Sequence, residues 1–151
     1  MKRQKKKYET PLRPWDKQRL EEEKKLLKKF GLKNKKEIWR AEAIVRKFRR
    51  MAREIAATHD KEKERILINK VVRLGLLKEG ATLDDVLGLT VENLLERRLQ
   101  TILKNKGLAN TIKHARQLIT HGHVKINGRK VTYPSYIVPI NEEDSIVVDK
   151  K

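Results

Sequence analysis

The sequence predicts an α+β fold, a helical, basic amino-terminal region interrupted by a module of two short helices and a small antiparallel sheet. Three observations carry that reading. Apolar residues recur at spacings of three and four through residues 35–57, the period of one helix face. A second set of apolar stripes brackets Gly107-Leu108-Ala109. Val124 and Ile126 then alternate with Lys125 just before Asn127-Gly128, the strongest short hairpin signal. The chain divides into residues 1–90, a basic arm and helical region with 1–14 extended, and residues 91–151, the module. Within the module the expected elements are helices 91–104 and 111–121 and a hairpin at 123–132.

Residues 1–14 are basic, contain Pro11 and Pro14 and lack any apolar period. They read as an extended arm that stays disordered until it meets a partner. From Trp15 to Phe30 a charged helix is expected, with Glu21, Glu22 and Glu23 ahead of Lys24, Lys25, Lys28 and Lys29, and Gly31 as its stop. The clearest helix follows. Ile38, Ala41, Val45, Phe48, Ala52 and Ile55 form one continuous seam, with Arg46, Lys47, Arg49, Arg50 and Arg53 largely off it. The seam covers only about three heptads, and like charges oppose pairing, so it is expected to pack within the chain rather than form a homo-oligomer. A partner helix is expected from Lys61 to Leu74, with Leu67, Val71 and Leu74 on one face.

Thr82-Leu-Asp-Asp85 resembles a capping box, so Asp84 and Asp85 are explained by capping and the helix dipole rather than by acid–base chemistry. Thr90 caps the next helix, whose stripe is Leu94, Leu95, Leu99, Ile102 and Leu103. Arg97, Arg98 and Lys104 lie beside or opposite that stripe. Asn110 is the expected cap of the 111–121 helix and Gly122 its C′ residue. There Ile112, Ala115, Leu118 and Ile119 make the buried stripe, and Lys113, Arg116, Gln117 and Thr120 occupy the other side. The hairpin presents Lys125, Arg129 and Lys130. Residues 133–136 are a loop, 136–138 a possible strand, and 146–148 a final edge strand after the acidic turn at 142–144.

Charge narrows the function. The chain carries +18 over 151 residues, distributed as +13 over 1–58, −2 over 59–96 and +7 over 97–151. Self-repulsion of that size destabilises a compact state unless a polyanion neutralises it. Two basic surfaces joined by a packed hinge are therefore expected to face nucleic acid. A membrane surface is the weaker alternative, because no run approaches the roughly 18 apolar residues of a transmembrane span. No signal-peptide-like apolar segment follows the basic start, so a cytoplasmic location is expected. With no cysteine in the chain, disulfides and thiolate metal sites are excluded. His121 and His123 lack further ligands at metal spacing, and no nucleophile triad or Gly-rich phosphate cradle is present, so neither a cofactor nor an enzyme is expected. Aromatic residues are few and scattered, which favours binding by backbone charge and shape over base stacking.

Arg98-Leu99, Leu103, Gly107-Leu108, Ala115-Arg-Gln-Leu-Ile119, His121-Gly-His-Val124 and Ile126-Asn-Gly128 resemble the RNA-binding module named after the fourth small-subunit ribosomal protein. The run 115–124 is typical of the ribosomal family itself, and the basic arm and helical segment are similar too. The resemblance implies RNA contacts at Arg97, Arg98, Lys113, Arg116, Gln117, Lys125 and Arg129, with His121 and His123 near RNA. Lys130 on the hairpin and Arg46, Arg49, Arg50 and Arg53 on the long helix are read as further RNA contacts. It also implies a structural component of the small ribosomal subunit that binds the 5′ domain of its rRNA, nucleates assembly and borders the path by which messenger RNA (mRNA) enters. Neighbouring ribosomal proteins are the remaining partners. A ribosome-biogenesis factor of the same lineage, binding precursor rRNA and then leaving, is the alternative. An RNA-modifying enzyme that carries the module would need a further catalytic domain of roughly a hundred residues. Two departures stand out. The chain lacks the amino-terminal zinc cysteines of some bacterial members, which points to the archaeal–eukaryotic branch, whose members often carry a further carboxyl-terminal tail. It also reads Asn110-Thr111-Ile112 where many modules have Ser-Arg.

Overall fold

A computed structural model describes residues 5–149. Among these, eight helices and three strands follow one another as α1 (Lys17–Lys29), α2 (Lys35–Thr58), α3 (Lys61–Arg73), α4 (Leu83–Leu87), α5 (Val91–Glu96), α6 (Leu99–Asn105), α7 (Ile112–Thr120), β1 (Val124–Ile126), β2 (Arg129–Lys130), α8 (Ile140–Glu143) and β3 (Ile146–Val148). The fold is α+β, as the sequence predicts.

Local chemistry sets most boundaries. Asp16 caps α1 by accepting from the Gln18 N–H, and Asp60 caps α3 by accepting from the N–H groups of Glu62 and Lys63. Thr82 and Asp85 form the expected capping box at α4, the Asp85 carboxylate accepting from the Thr82 N–H at 2.8 Å. The seam of α2 is buried at all six positions named above. It packs against α1, α3, α4 and α5, so α2 is the spine of a first core that runs from Phe30 to Leu95. A second core starts at Leu99 and gathers Ile102, Leu103, Ala115 and Ile119 with Val124, Ile126, Val138 and Ile146. The three strands are antiparallel in the order β2-β1-β3, with Ile126 opposite Arg129 and also opposite Ile146. Asn127 and Gly128 both take positive φ (50° and 75°), which a two-residue hairpin turn of this hand requires.

Three expectations need correction. The single helix over 91–104 is two. Leu99 N–H donates to Tyr136 O and Val138 N–H to Arg97 O, pulling Arg98 into extended backbone (ψ 141°) between α5 and α6. The possible strand at 136–138 is thereby reduced to one isolated bridge between Arg98 and Ile137. The α7 cap is Thr111, not Asn110, its hydroxyl accepting from the His114 N–H at 3.1 Å. In the arm, residues 1–4 lie outside the described residues, and 5–14 have no helix or strand. Tyr8 and Glu9 nevertheless lie against α2, with the Tyr8 and Trp39 rings 6.0 Å apart and Glu9 paired to Arg46.

The two cores meet at a close backbone approach. Gly31, at φ +56°, ends α1, and a Cβ there would stand 2.9 Å from Ile112 Cγ2 of α7. Both left-handed backbone and lack of space thus require glycine. Gly31→Ala is expected to lower the unfolding free energy by about 2 kcal/mol, read from the urea midpoint at unchanged slope. An unchanged midpoint would show that Ile112 can yield.

Candidate nucleic-acid interface

The sequence-predicted cations separate into two groups. Lys113 and Gln117 stand one turn apart on the exposed side of α7, and Arg129 and Lys130 are exposed on the hairpin. Among the described residues, no acid pairs with Lys113, Arg129, Lys130 or Arg53. The hairpin is tied to the end of α7. The Lys130 side chain lies across Gly122, just after the helix, where a cation meets the negative end of the dipole. The His121 and His123 rings flank that glycine in sequence, 6.5 Å apart. Lys125 reaches Asp149 at 2.7 Å, and that hydrogen bond holds the Asp149 carboxyl below its usual pKa. Both side chains are nearly half exposed, so the pair is weak and open to competition.

Other predicted contacts are engaged inside the protein. Arg98 is 5% exposed and gives Nη2 to Glu37 Oε2 at 2.8 Å. Arg116 is turned toward the same carboxylate, Nη2 to Oε1 at 2.9 Å and Nη1 to Oε2 at 3.2 Å. Arg97 bonds Glu143 and the Val138 carbonyl, both at 2.8 Å. On α2, Arg49 donates to Leu89 O at 2.6 Å, Arg46 pairs with Glu9 and Glu42, and Arg50 pairs with Glu54. The expectation of open contacts is therefore corrected at Arg98, which is a buried tie. Arg97, Arg116 and Arg49 hold the fold with at least one prong each.

Sequence reasoning missed Glu37. It sits in the first turn of α2, where the helix dipole favours an acid. Burial alone raises its pKa, but the hydrogen bonds from Arg116 and the charge and hydrogen bond of Arg98 outweigh that, leaving it below the ordinary value of 4.5. A second missed acid, Glu23, is 3% exposed and accepts from Arg19 and from the Trp39 ring N–H, with Lys35 at 3.0 Å. Both acids are surrounded in sequence by lysines and look like ordinary surface charges there.

Two family models match the chain in succession. Residues 2–96 match the family described as "Ribosomal protein S4/S9 N-terminal domain", and residues 97–144 match the "S4 domain". The chain is 54% identical over 149 residues to the small ribosomal subunit protein uS4 of Saccharolobus solfataricus, spanning 96% of this chain and 82% of the relative. It is 51% identical over 144 residues to the protein of the same name from Methanothermobacter thermautotrophicus, spanning 93% and 84%.

Two outcomes test the division of the cations. Lys113→Ala is expected to change stability by no more than about 0.5 kcal/mol, whereas Arg116→Ala should cost about 1–3 kcal/mol by removing charged hydrogen bonds to Glu37, both from thermal or urea midpoints. Because the folded Glu37 pKa is lowered, its contribution is present above the ordinary value of 4.5 and is lost as pH falls through the folded one. Stability of the native chain should therefore decline below about pH 4.5, and Glu37→Gln should flatten that part of the decline.

Proposed function

This chain belongs to the uS4 family of small-subunit ribosomal proteins, and on that premise we propose that it holds the 5′ domain of small-subunit rRNA, nucleates assembly around it and borders the path of incoming mRNA. It is a structural component of the small subunit, part of the cytoplasmic ribosome, and not an enzyme. Among the described residues no helix is long and apolar enough to cross a membrane. Its partners are rRNA and neighbouring ribosomal proteins.

The observation that supports the finer reading is the set of exposed cations, Lys113 on α7 and Arg129 and Lys130 on the hairpin, none of them ion-paired among the described residues, with Lys130 lying across Gly122 at the end of α7. Lysine and arginine there can neutralise phosphates, and arginine adds forked geometry. Such contacts fix position and read the shape of folded RNA rather than its sequence. The internal arginines supply no such contact at Arg98, so binding is carried by the outer edge together with Arg53 and the weakly paired Arg46 and Arg50.

Affinity for small-subunit rRNA is expected to fall linearly in log K against log[salt] between about 50 and 200 mM. Lys113→Ala combined with Arg129→Ala should reduce the slope by about one per lost phosphate contact. Filter binding across a salt series measures both, and a flat dependence would sink the reading. Footprinting on the transcript tests the 5′-domain assignment. Retention of the protein on salt-washed small subunits separates a resident component from an assembly factor.

A further inference from the structure

Beside the first core lies a crevice of about 250 Å³, lined by none of the exposed cations Lys113, Arg129 and Lys130. Its floor is apolar, formed by Ala41 and Ile44 of α2, Leu94 of α5 and Ile137 of the loop before α8. Around it stand Lys7 of the arm, Arg40 and Ser135, all exposed. Arg40 lies over the Tyr8 ring, its Cζ 6.0 Å from the centroid. Arg98 and Glu37 complete the wall. The Arg98 side chain is only 6% exposed, and its Nε–H has no acceptor among the described residues.

A bare phosphate would use the cations but gain nothing from the apolar floor. An acidic peptide would set its carboxylates against Glu37 and has no planar apolar group for the floor. A single nucleotide fits all of these features: an apolar, planar base, hydrogen-bonding groups on its edge, and one negative phosphate beside it. Sequence-reading proteins take unstacked RNA bases in this way, against apolar or guanidinium surfaces. We propose that the crevice takes one unstacked nucleotide of the bound RNA, its base on the Ile44–Leu94–Ile137 floor and its phosphate between Lys7 and Arg40. This rests on the rRNA-binding reading above. Because the arm, α2, α5 and the loop at 133–137 all line the crevice, the nucleotide would pin the arm and that loop against α2 and α5.

The test uses the full chain on transcribed small-subunit rRNA, with base-reactivity probing, ultraviolet crosslinking and affinity measured in parallel. One nucleotide should lose Watson–Crick-edge reactivity on binding and crosslink within residues 40–44 or 133–137. Ser135→Trp, which fills the crevice from an exposed position, should restore that reactivity and weaken binding about tenfold, a typical worth for one stacked base. Protections elsewhere on the RNA should persist. Arg40→Ala, also at an exposed position, should partly restore the same nucleotide and serves if the tryptophan variant loses its thermal midpoint. Unchanged affinity and an unchanged protection map in both variants would overturn the crevice assignment while leaving the rRNA reading intact. Loss of a protein neighbour instead of a nucleotide would overturn it too. No affinity of the unaltered chain for the transcript would remove both readings.

Discussion

One carboxylate decides how the two halves of this chain sit together. Glu37 accepts from Arg98 and Arg116 and, at 3.3 Å, from the Lys33 N–H, so its two oxygens receive four bonds from three residues. That fills the acceptor capacity of an ionised carboxylate. Its position follows from α2, whose first turn stabilises an acid, and its partners stand at the start of α6 and in the middle of α7. The Gln100 side chain donating to Phe30 O and the close approach of Gly31 to Ile112 reinforce the same junction. A buried ion pair contributes little net stability relative to apolar packing. Its effect here is geometric: with Glu37 neutral, two guanidinium groups would face each other at the seam between cores.

The consequence is a separation of charge by role. The chain has far more cations than acids, and three of the acids hold cations that the fold uses. Glu23 gathers Arg19, Lys35 and the Trp39 ring N–H; Glu143 holds Arg97; Glu37 holds Arg98 and Arg116. Lys113, Arg129 and Lys130 receive none of these acids among the described residues. A surface that looks uniformly basic in composition is thus sorted by the fold into internal ties and outward ligands. This sorting lets a chain of +18 keep two packed cores and still present unpaired cations to solvent.

Much of this was legible because it is local. The six-residue seam of α2, the Thr82–Asp85 box and the Asn127-Gly128 turn each depend on neighbours a few positions away, and each formed as the sequence predicts. The break within 91–104 was not legible, because Leu94, Leu95, Leu99, Ile102 and Leu103 keep helical spacing across Arg97-Arg98. It is imposed by backbone bonds from Tyr136 and Val138, about forty residues on in the chain. The fate of the arginines was hidden for the same reason. Glu37 lies 61 residues from Arg98 and 79 from Arg116, and nothing in the composition of α2 marks it apart from Glu42 or Glu54. A resemblance carried over residue by residue names positively charged positions but cannot say which way a guanidinium points.

That distinction bears on how RNA is read. If Arg98 and Arg116 were free, the junction would rest on the Gln100–Phe30 bond and the Gly31–Ile112 contact, and its geometry would be less firmly set. Fixed by Glu37, α7 and its hairpin hold a set direction relative to α2, so the outward cations of the two halves stand at fixed separations. Rigid spacing of charges turns a non-specific electrostatic attraction into selection among folded RNAs, because only a backbone with matching phosphate positions satisfies every contact at once. On the proposed rRNA-binding reading, specificity therefore originates at the half-buried Glu37 carboxylate, one layer beneath the cations proposed to meet RNA.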